Sequence, residues 1–191
     1  LIATLFVGNI TAVFQRSVKR MLAYSSIAQV GFMLFALYGA TSFATEGILL
    51  YIMAYSVASI GLFGVLIKMK DYSFEAFNGL AKKEPLIAAM TTIFLLSLAG
   101  IPLTGGFFAK YYMLNAAVQS GIGLWLVALA ILFAAVSIYY YFKLIQAMYF
   151  VEGAPAMHEV EQGYKYKLLV FEIFILALGI LPNVFLSYLY F

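Results

Sequence analysis

The chain has no cysteine, one histidine, one tryptophan and only 10% charged residues in 191. Without cysteine it can form no disulfide, no thiolate-held iron–sulfur cluster and no covalent c-type haem attachment. A single histidine, His158, excludes haem ligation by two histidines of this chain. Glycine-rich phosphate loops, dinucleotide fingerprints, Ser/His/Asp arrangements and metal-ligand clusters are also missing. Scarcity of charge is the strongest constraint. A soluble domain is about 25% charged and about 45–50% apolar. Here 65% of residues are hydrophobic, and the mean hydropathy is +1.02. A fold of this size cannot hide so much apolar surface from water. A soluble enzyme, a nucleic-acid-binding domain and a disordered tail are excluded. What fits is an all-α polytopic transmembrane helix bundle.

Six apolar stretches are present: Leu1–Phe14, Met21–Tyr38, Gly47–Ile67, Pro85–Val118, Gly123–Phe142 and Leu168–Phe191. Leu1–Phe14 is shorter than the roughly 20 residues a spanning helix needs. It begins without Met or a basic leader and is read as the tail of a helix in a longer chain. The charges between the stretches alternate. Arg16, Lys19 and Arg20 fill the first connection; Lys68, Lys70, Lys82 and Lys83 the third; Lys143, Lys165 and Lys167 the fifth. The second connection, around Gly39–Glu46, and the fourth, around Gln119–Gly123, carry no Lys or Arg. The positive-inside rule puts the basic connections on the cytoplasmic, matrix or stromal side and the C-terminus on the outer side. This gives about five full spans plus a partial one.

Pro85–Val118 must then cross the membrane an odd number of times with 34 residues. As a straight helix it would be about 50 Å long, against a hydrocarbon core of about 30 Å. Three crossings do not fit, so one interrupted crossing is expected. The interruption is Gly100-Ile101-Pro102-Leu103-Thr104-Gly105-Gly106. Pro102 removes a backbone donor and disfavours helix at Ile101. Unwound backbone at membrane depth is tolerated only where protein or a water-filled cavity satisfies it, and transporters place ion sites at such breaks.

Lys110 follows four residues after Gly106. A lysine at the bilayer centre costs at least about 2.5–3.5 kcal/mol on insertion scales, and such residues mark ion pathways. Complete burial can lower a lysine pKa by as much as about 3–5 units, which brings a proton relay into working range. The alternative is a lysine that snorkels or forms a static ion pair. Lys143, after Ser137-Ile138-Tyr139-Tyr140-Tyr141-Phe142, either ends its helix by snorkelling or faces inward as a relay partner, a reading that gains if the helix runs on through Phe150. Lys19 is a topology anchor or a second relay. Tyr24, Ser25, Ser26 and Gln29 can line a hydrated inlet. Tyr51, Tyr55, Ser56 and Ser59 lie close to one face of a helix, either as interhelical glue or as a wet path. Tyr140 is a further water-lining candidate. Gly61 and Gly64 allow close helix packing. Glu46 and Glu172 read as interfacial, and His158 as a solvated loop residue.

The segment Gln15–Phe32, with Lys19-Arg20-Met21-Leu22-Ala23-Tyr24-Ser25-Ser26, resembles one shared by the antiporter-like membrane subunits of respiratory complex I. Leu96–Lys110, with Gly100, Pro102, Gly105 and Gly106, is similar to the broken helix of its subunit N. Gly79-Leu80 and Ser137–Tyr141 resemble subunit N as well. The likeness covers most of 1–150 and is weaker over 151–191. It implies 14 membrane helices in two inverted repeats. Residues 1–150 would form the second repeat, and 151–191 a loop and the last helix. It implies proton translocation through Lys110, coupled to NADH oxidation and quinone reduction elsewhere in the complex. FMN, iron–sulfur clusters, NADH and quinone would belong to other subunits, with no cofactor or metal in this chain. Neighbours would be subunit M, the small subunits K, J and A, and lipid. The membrane would be the bacterial inner, mitochondrial inner or thylakoid membrane. A subunit of a multisubunit cation/proton antiporter and a non-pumping structural subunit of complex I are the alternatives.

Overall fold

The computed structural model describes residues 1–37, 42–121 and 123–187. Parts of both uncharged connections, and the C-terminal residues 188–191 whose side of the membrane the charges assign, lie outside the described residues. Among the described residues each apolar stretch is built mainly of helix, as lipid requires, because a helix pairs its backbone groups within its own segment. The helices are α1 (Ile2–Val13), α2 (Val18–Met33), α3 (Ser42–Ile67), α4 (Leu80–Lys83), α5 (Pro85–Ala99), α6 (Gly105–Gln119), α7 (Leu124–Phe150), α8 (Gln162–Ile180) and α9 (Pro182–Ser187). Two stretches, Ala44–Ile67 and Leu124–Phe150, are each long and apolar enough to cross a membrane. Ile2–Val13 and Pro85–Ala99 are apolar but shorter.

The helices pack as small residues permit. Inside lipid, association draws on close van der Waals contact rather than on escape from water. Gly8 of α1 faces the backbone of Ala28 in α2. Gly61 of α3 receives the Phe94 ring of α5, and Gly64 faces Leu168 of α8, as the sequence suggests. Thus α3 lies against α5, α6 and α8, while α7 lies against α1 and α5. Two buried clusters result. One gathers Phe77, Phe94, Tyr140 and Tyr141. The other gathers Phe32, Phe35, Leu50, Phe133 and Leu178. Tyr55 packs against both. Leu124, Trp125, Ile131, Phe150, Val170 and Ile173 point outward and stay exposed, an apolar exterior suited to lipid.

The three basic connections meet at one end of the bundle. Val18 N–H donates to Tyr72 O at 2.7 Å, Lys70 N–H to Ala156 O at 2.8 Å, and His158 N–H to Lys68 O at 2.8 Å. Lys165 of α8 pairs with Glu84 before α5 at 2.6 Å. The charge alternation in the sequence therefore has a spatial counterpart in a single charged end.

Three expectations need correction. The interruption is Gly100–Thr104, because Gly105 and Gly106 already belong to the first turn of α6. The apolar run to Phe142 does not end its helix: α7 continues to Phe150. Glu172 is not near a helix end. It sits mid-way along α8 and is buried, because it shares the inward face of Leu168 and Ile175.

Candidate functional site

The site grows from the way α5 stops. Gly100, with φ +83°, takes the left-handed conformation that glycine adopts without strain. Its N–H reaches Leu96 O and Ser97 O, and Ile101 N–H returns to Leu96 O. This closes two of the helix's terminal carbonyls. The next two, Leu98 and Ala99, are left without backbone partners at the end of the helix, where the macrodipole is negative. Thr104 hydroxyl donates to Ile101 O at 2.7 Å, and α6 begins directly after it. Gly106 lets α6 start in contact with α5: a Cβ there would overlap the Ser97 carbonyl oxygen. Its N–H donates to Ser97 Oγ at 3.3 Å.

Lys110, one turn into α6, folds back to the open end of α5. Its Nζ donates to Leu98 O at 2.9 Å and to Ala99 O at 3.0 Å. The Phe32 ring stands 4.6 Å from the same nitrogen, close enough for a cation–π interaction. Lys110 is 7% exposed. Among the described residues no carboxylate pairs with it. A cation at a helix C-terminus is stabilised by up to about 2 kcal/mol in partly buried geometries, and here that terminus takes the place of a counter-ion.

A hydrogen-bonded cluster continues from Leu98. Gln29 Nε2 donates to Leu98 O at 3.0 Å and to Tyr141 OH at 3.1 Å. Tyr51 hydroxyl donates to Gln29 Oε1. Tyr141 OH and Ser25 Oγ are 2.6 Å apart. Two small cavities adjoin this cluster. One, of about 10 Å³, is lined by Gln29, Tyr51, Tyr55, Ser97, Gly106 and Lys110. The other, also about 10 Å³, is lined by Leu22, Ser25, Tyr55, Ser59, Leu62 and Phe63. Tyr55 and Leu98 form walls of both. A larger apolar groove between α6 and α7, about 340 Å³, reaches Lys110 from the other side past Phe32, Tyr111, Ile131 and Ile138.

The structure brings Ser25, Tyr55 and Ser59 to the cavities and leaves other candidates elsewhere. Tyr24 is half-buried and packs on the first cluster. Ser26 bonds back to Ala23 O of its own helix. Ser56 is exposed, because it lies about 100° around the helix from Tyr55. Tyr140 is buried and donates to Asn9 Oδ1 of α1 at 3.2 Å. Lys143 lies over Phe74 at 4.4 Å and borders an open groove with Tyr139, Phe142 and Gln146. Lys19 is exposed over Tyr72 at 5.1 Å. Neither lysine lines the Lys110 cavity. His158 is exposed in its loop. The hubs Asn9 and Tyr141, and the carbonyls of Leu98 and Ala99, are absent from the sequence reading as site groups. Only the i, i+4 spacing of Ser25 and Gln29 signals a shared polar face.

Comparison with known proteins places the chain in a family. The family described as NADH:quinone oxidoreductase/Mrp antiporter, TM, matches residues 1–137. NADH-quinone oxidoreductase subunit N of Flavobacterium psychrophilum is 41% identical over 98% of this chain and 42% of that protein. A chain of respiratory complex I from Thermus thermophilus, solved with bound aureothin, superposes with a TM-score of 0.84 at 33% identity. That match covers 97% of this chain and 43% of that one. A chain of the Mrp complex from a Dietzia species shares the fold at a TM-score of 0.87 and 19% identity, over 97% of this chain and 44% of that one. The chain spans about two fifths of the length of the curated relatives it matches. It is an integral-membrane chain of the NADH:quinone oxidoreductase/Mrp antiporter transmembrane family.

Proposed function

We propose that this chain is part of subunit N of a proton-pumping NADH:quinone oxidoreductase and that Lys110 is its protonatable group. The observation that carries the reading is the placement of a buried lysine ammonium on the free carbonyls of α5, beside a polar cavity. An ammonium has three N–H donors. Two are held by Leu98 O and Ala99 O, so a third can leave as a proton while the amine stays anchored.

In this reading α5 and α6 make one interrupted crossing, and the chain has about five full spans plus a partial first one. Residues 1–150 form the second antiporter-like repeat, and 151–191 supply a loop and a last helix. The charged end faces the cytoplasm or its equivalent, and the C-terminus faces outward. Lys143 and Lys19 hold that end at the membrane surface. Flavin, iron–sulfur and quinone chemistry belongs to other subunits, and the partners are neighbouring membrane subunits and lipid. Fold likeness to the Mrp complex favours a second reading, a cation/proton antiporter subunit without electron transfer.

The test uses the full-length protein in assembled complexes in native membrane vesicles. Lys110→Ala is expected to lower NADH-driven proton uptake by about 100-fold or more, the scale of a lost proton-transfer group, while Lys110→Arg retains part of it. Normal pumping by both variants would refute the reading. Proton–cation exchange in vesicles lacking flavin and iron–sulfur absorbance would establish the antiporter instead.

A further inference from the structure

Two residues border both small cavities, Tyr55 and Leu98. The polar group of Leu98 is its carbonyl, and both lone pairs of that oxygen are used: Gln29 Nε2 donates to it at 3.0 Å and Lys110 Nζ at 2.9 Å. Tyr55 differs. It comes from the middle of α3, is half-buried, and packs against both buried clusters. Among the described residues its hydroxyl has no fixed hydrogen-bond partner, whereas Tyr51, one turn away, gives its hydrogen to Gln29 Oε1. Each cavity, at about 10 Å³, has the size of a single water. A buried water takes about two to four polar partners. Lys110, Ser97 and Tyr55 border the first cavity, and Ser25, Ser59 and Tyr55 the second. Ser59 lies one turn beyond Tyr55 toward the Ile67 end of α3, and Leu22 one turn before Ser25 toward the Val18 end of α2. The second cavity therefore sits on the charged-end side of the first.

We infer that Tyr55 is a proton relay between Lys110 and the Ser25–Ser59 cavity, linking Lys110 toward the charged end of the bundle. This deepens the reading of Lys110 as the protonatable group and rests on it. A hydroxyl oxygen can accept one proton while it gives up another, and a carbonyl oxygen can only accept. Of the two residues shared by the cavities, only Tyr55 can therefore pass a proton on. With one water in each cavity, the water of the second gives a proton to the Tyr55 oxygen, and the phenolic hydrogen leaves for the water of the first. That water gives one of its protons to the Lys110 amine. The neutral amine keeps its two hydrogens on Leu98 O and Ala99 O and offers its lone pair to the cavity it borders. Tyr55 and the first water end with as many hydrogens as they began with. The second water has lost one proton, and the Lys110 amine has become an ammonium. The second cavity regains its proton from the charged end, past Leu22 and Leu62.

Tyr55→Phe removes one oxygen and leaves the ring in both clusters. In native membrane vesicles bearing the assembled full-length complex, it is expected to lower NADH-driven proton uptake about tenfold. That is less than the roughly 100-fold scale of losing a proton-transfer group outright, because water entering the space of the lost oxygen bridges part of the gap. The temperature at which the complex inactivates should stay unchanged. Ser59→Ala should lower uptake by a smaller factor, since Ser25 still serves the second cavity. Two groups on one route do not act independently. Tyr55→Phe combined with Ser59→Ala should therefore pump no worse than Tyr55→Phe alone, whereas two separate packing defects would multiply. Normal uptake with Tyr55→Phe overturns the inference, and so do losses that multiply in the double variant. Where Tyr55→Phe does not assemble, Ser25→Ala with Ser59→Ala strips the second cavity of its serine hydroxyls and must lower uptake; normal uptake there overturns the inference equally. If Lys110→Ala abolishes pumping while one of those negative results holds, only the role of Tyr55 fails. If Lys110→Ala pumps normally, the underlying reading fails first.

Discussion

Lys110 and Lys143 each sit over an aromatic ring, 4.6 Å from Phe32 and 4.4 Å from Phe74. The ring is where their likeness ends. Lys143 borders an open groove near the charged end, within reach of the Phe74 loop, so its ammonium can stay hydrated while its stem lies along α7. Lys110 is buried and donates its hydrogen bonds to two carbonyls that the glycine-capped end of α5 leaves free. Lys19 and Lys68, over Tyr72 and Tyr164, resemble Lys143. A cation–π contact therefore does not set Lys110 apart from the other lysines. What distinguishes the candidate site is a buried lysine stabilised by a helix terminus in place of a counter-ion.

The comparison breaks if the two lysines prove interchangeable. Truncating each to alanine in assembled complexes should separate them by about 100-fold in proton uptake, with Lys110→Ala the impaired one. A smaller effect is expected at the junction itself. Gly106→Ala places a Cβ on the Ser97 carbonyl, and such overpacking costs about 1–3 kcal/mol. The complex should inactivate at a lower temperature and pump less, because α6 must shift and carry Lys110 with it. Gly100→Ala should come next. Its left-handed φ of +83° costs a side-chain residue about 1–2 kcal/mol, and the new Cβ approaches the Lys110 stem at 2.9 Å. Loss of pumping beyond loss of stability would show that the cap positions the lysine. The smallest effects belong to the other pole of the comparison. Lys143→Ala and Lys19→Ala should change thermal stability by no more than about 0.5 kcal/mol and leave pumping intact. A pumping defect in Lys143→Ala would make it a relay and erase the contrast.

Much of this architecture is legible in the residues because lipid imposes it. Spanning segments must be apolar and helical, and lysine and arginine must gather on one side. The runs and the alternation of Arg16–Arg20, Lys68–Lys83 and Lys165–Lys167 accordingly appear as helices with one charged end. The end of α5 was legible too, since Gly100 and Pro102 act through local backbone geometry. Its extent was not. Gly105 and Gly106 read as further loosening but serve as close-approach positions inside α6, which depends on where Ser97 and Leu178 lie. Lys143 looked like a helix end because charge usually marks one, yet α7 runs seven residues further, where the loops 68–79 and 151–160 cover its surface. Glu172 looked interfacial because a membrane carboxylate usually is, and packing with Leu168 and Ile175 buries it.

The sequence by itself determined the class of molecule, the helical runs, the place where one of them fails and the identity of the lysine beyond it. These follow from composition and from interactions within a few residues. The tertiary structure decided what the lysine touches. Leu98 and Ala99 act through backbone carbonyls, which no side-chain pattern encodes. Gln29, Tyr51 and Tyr141 are separated by 22 and 112 residues along the chain from Gln29 outward and meet only when α2, α3, α5 and α7 pack. The Leu98 oxygen, which can only accept, decides which end of the Gln29 amide faces it, and its position is a property of the fold.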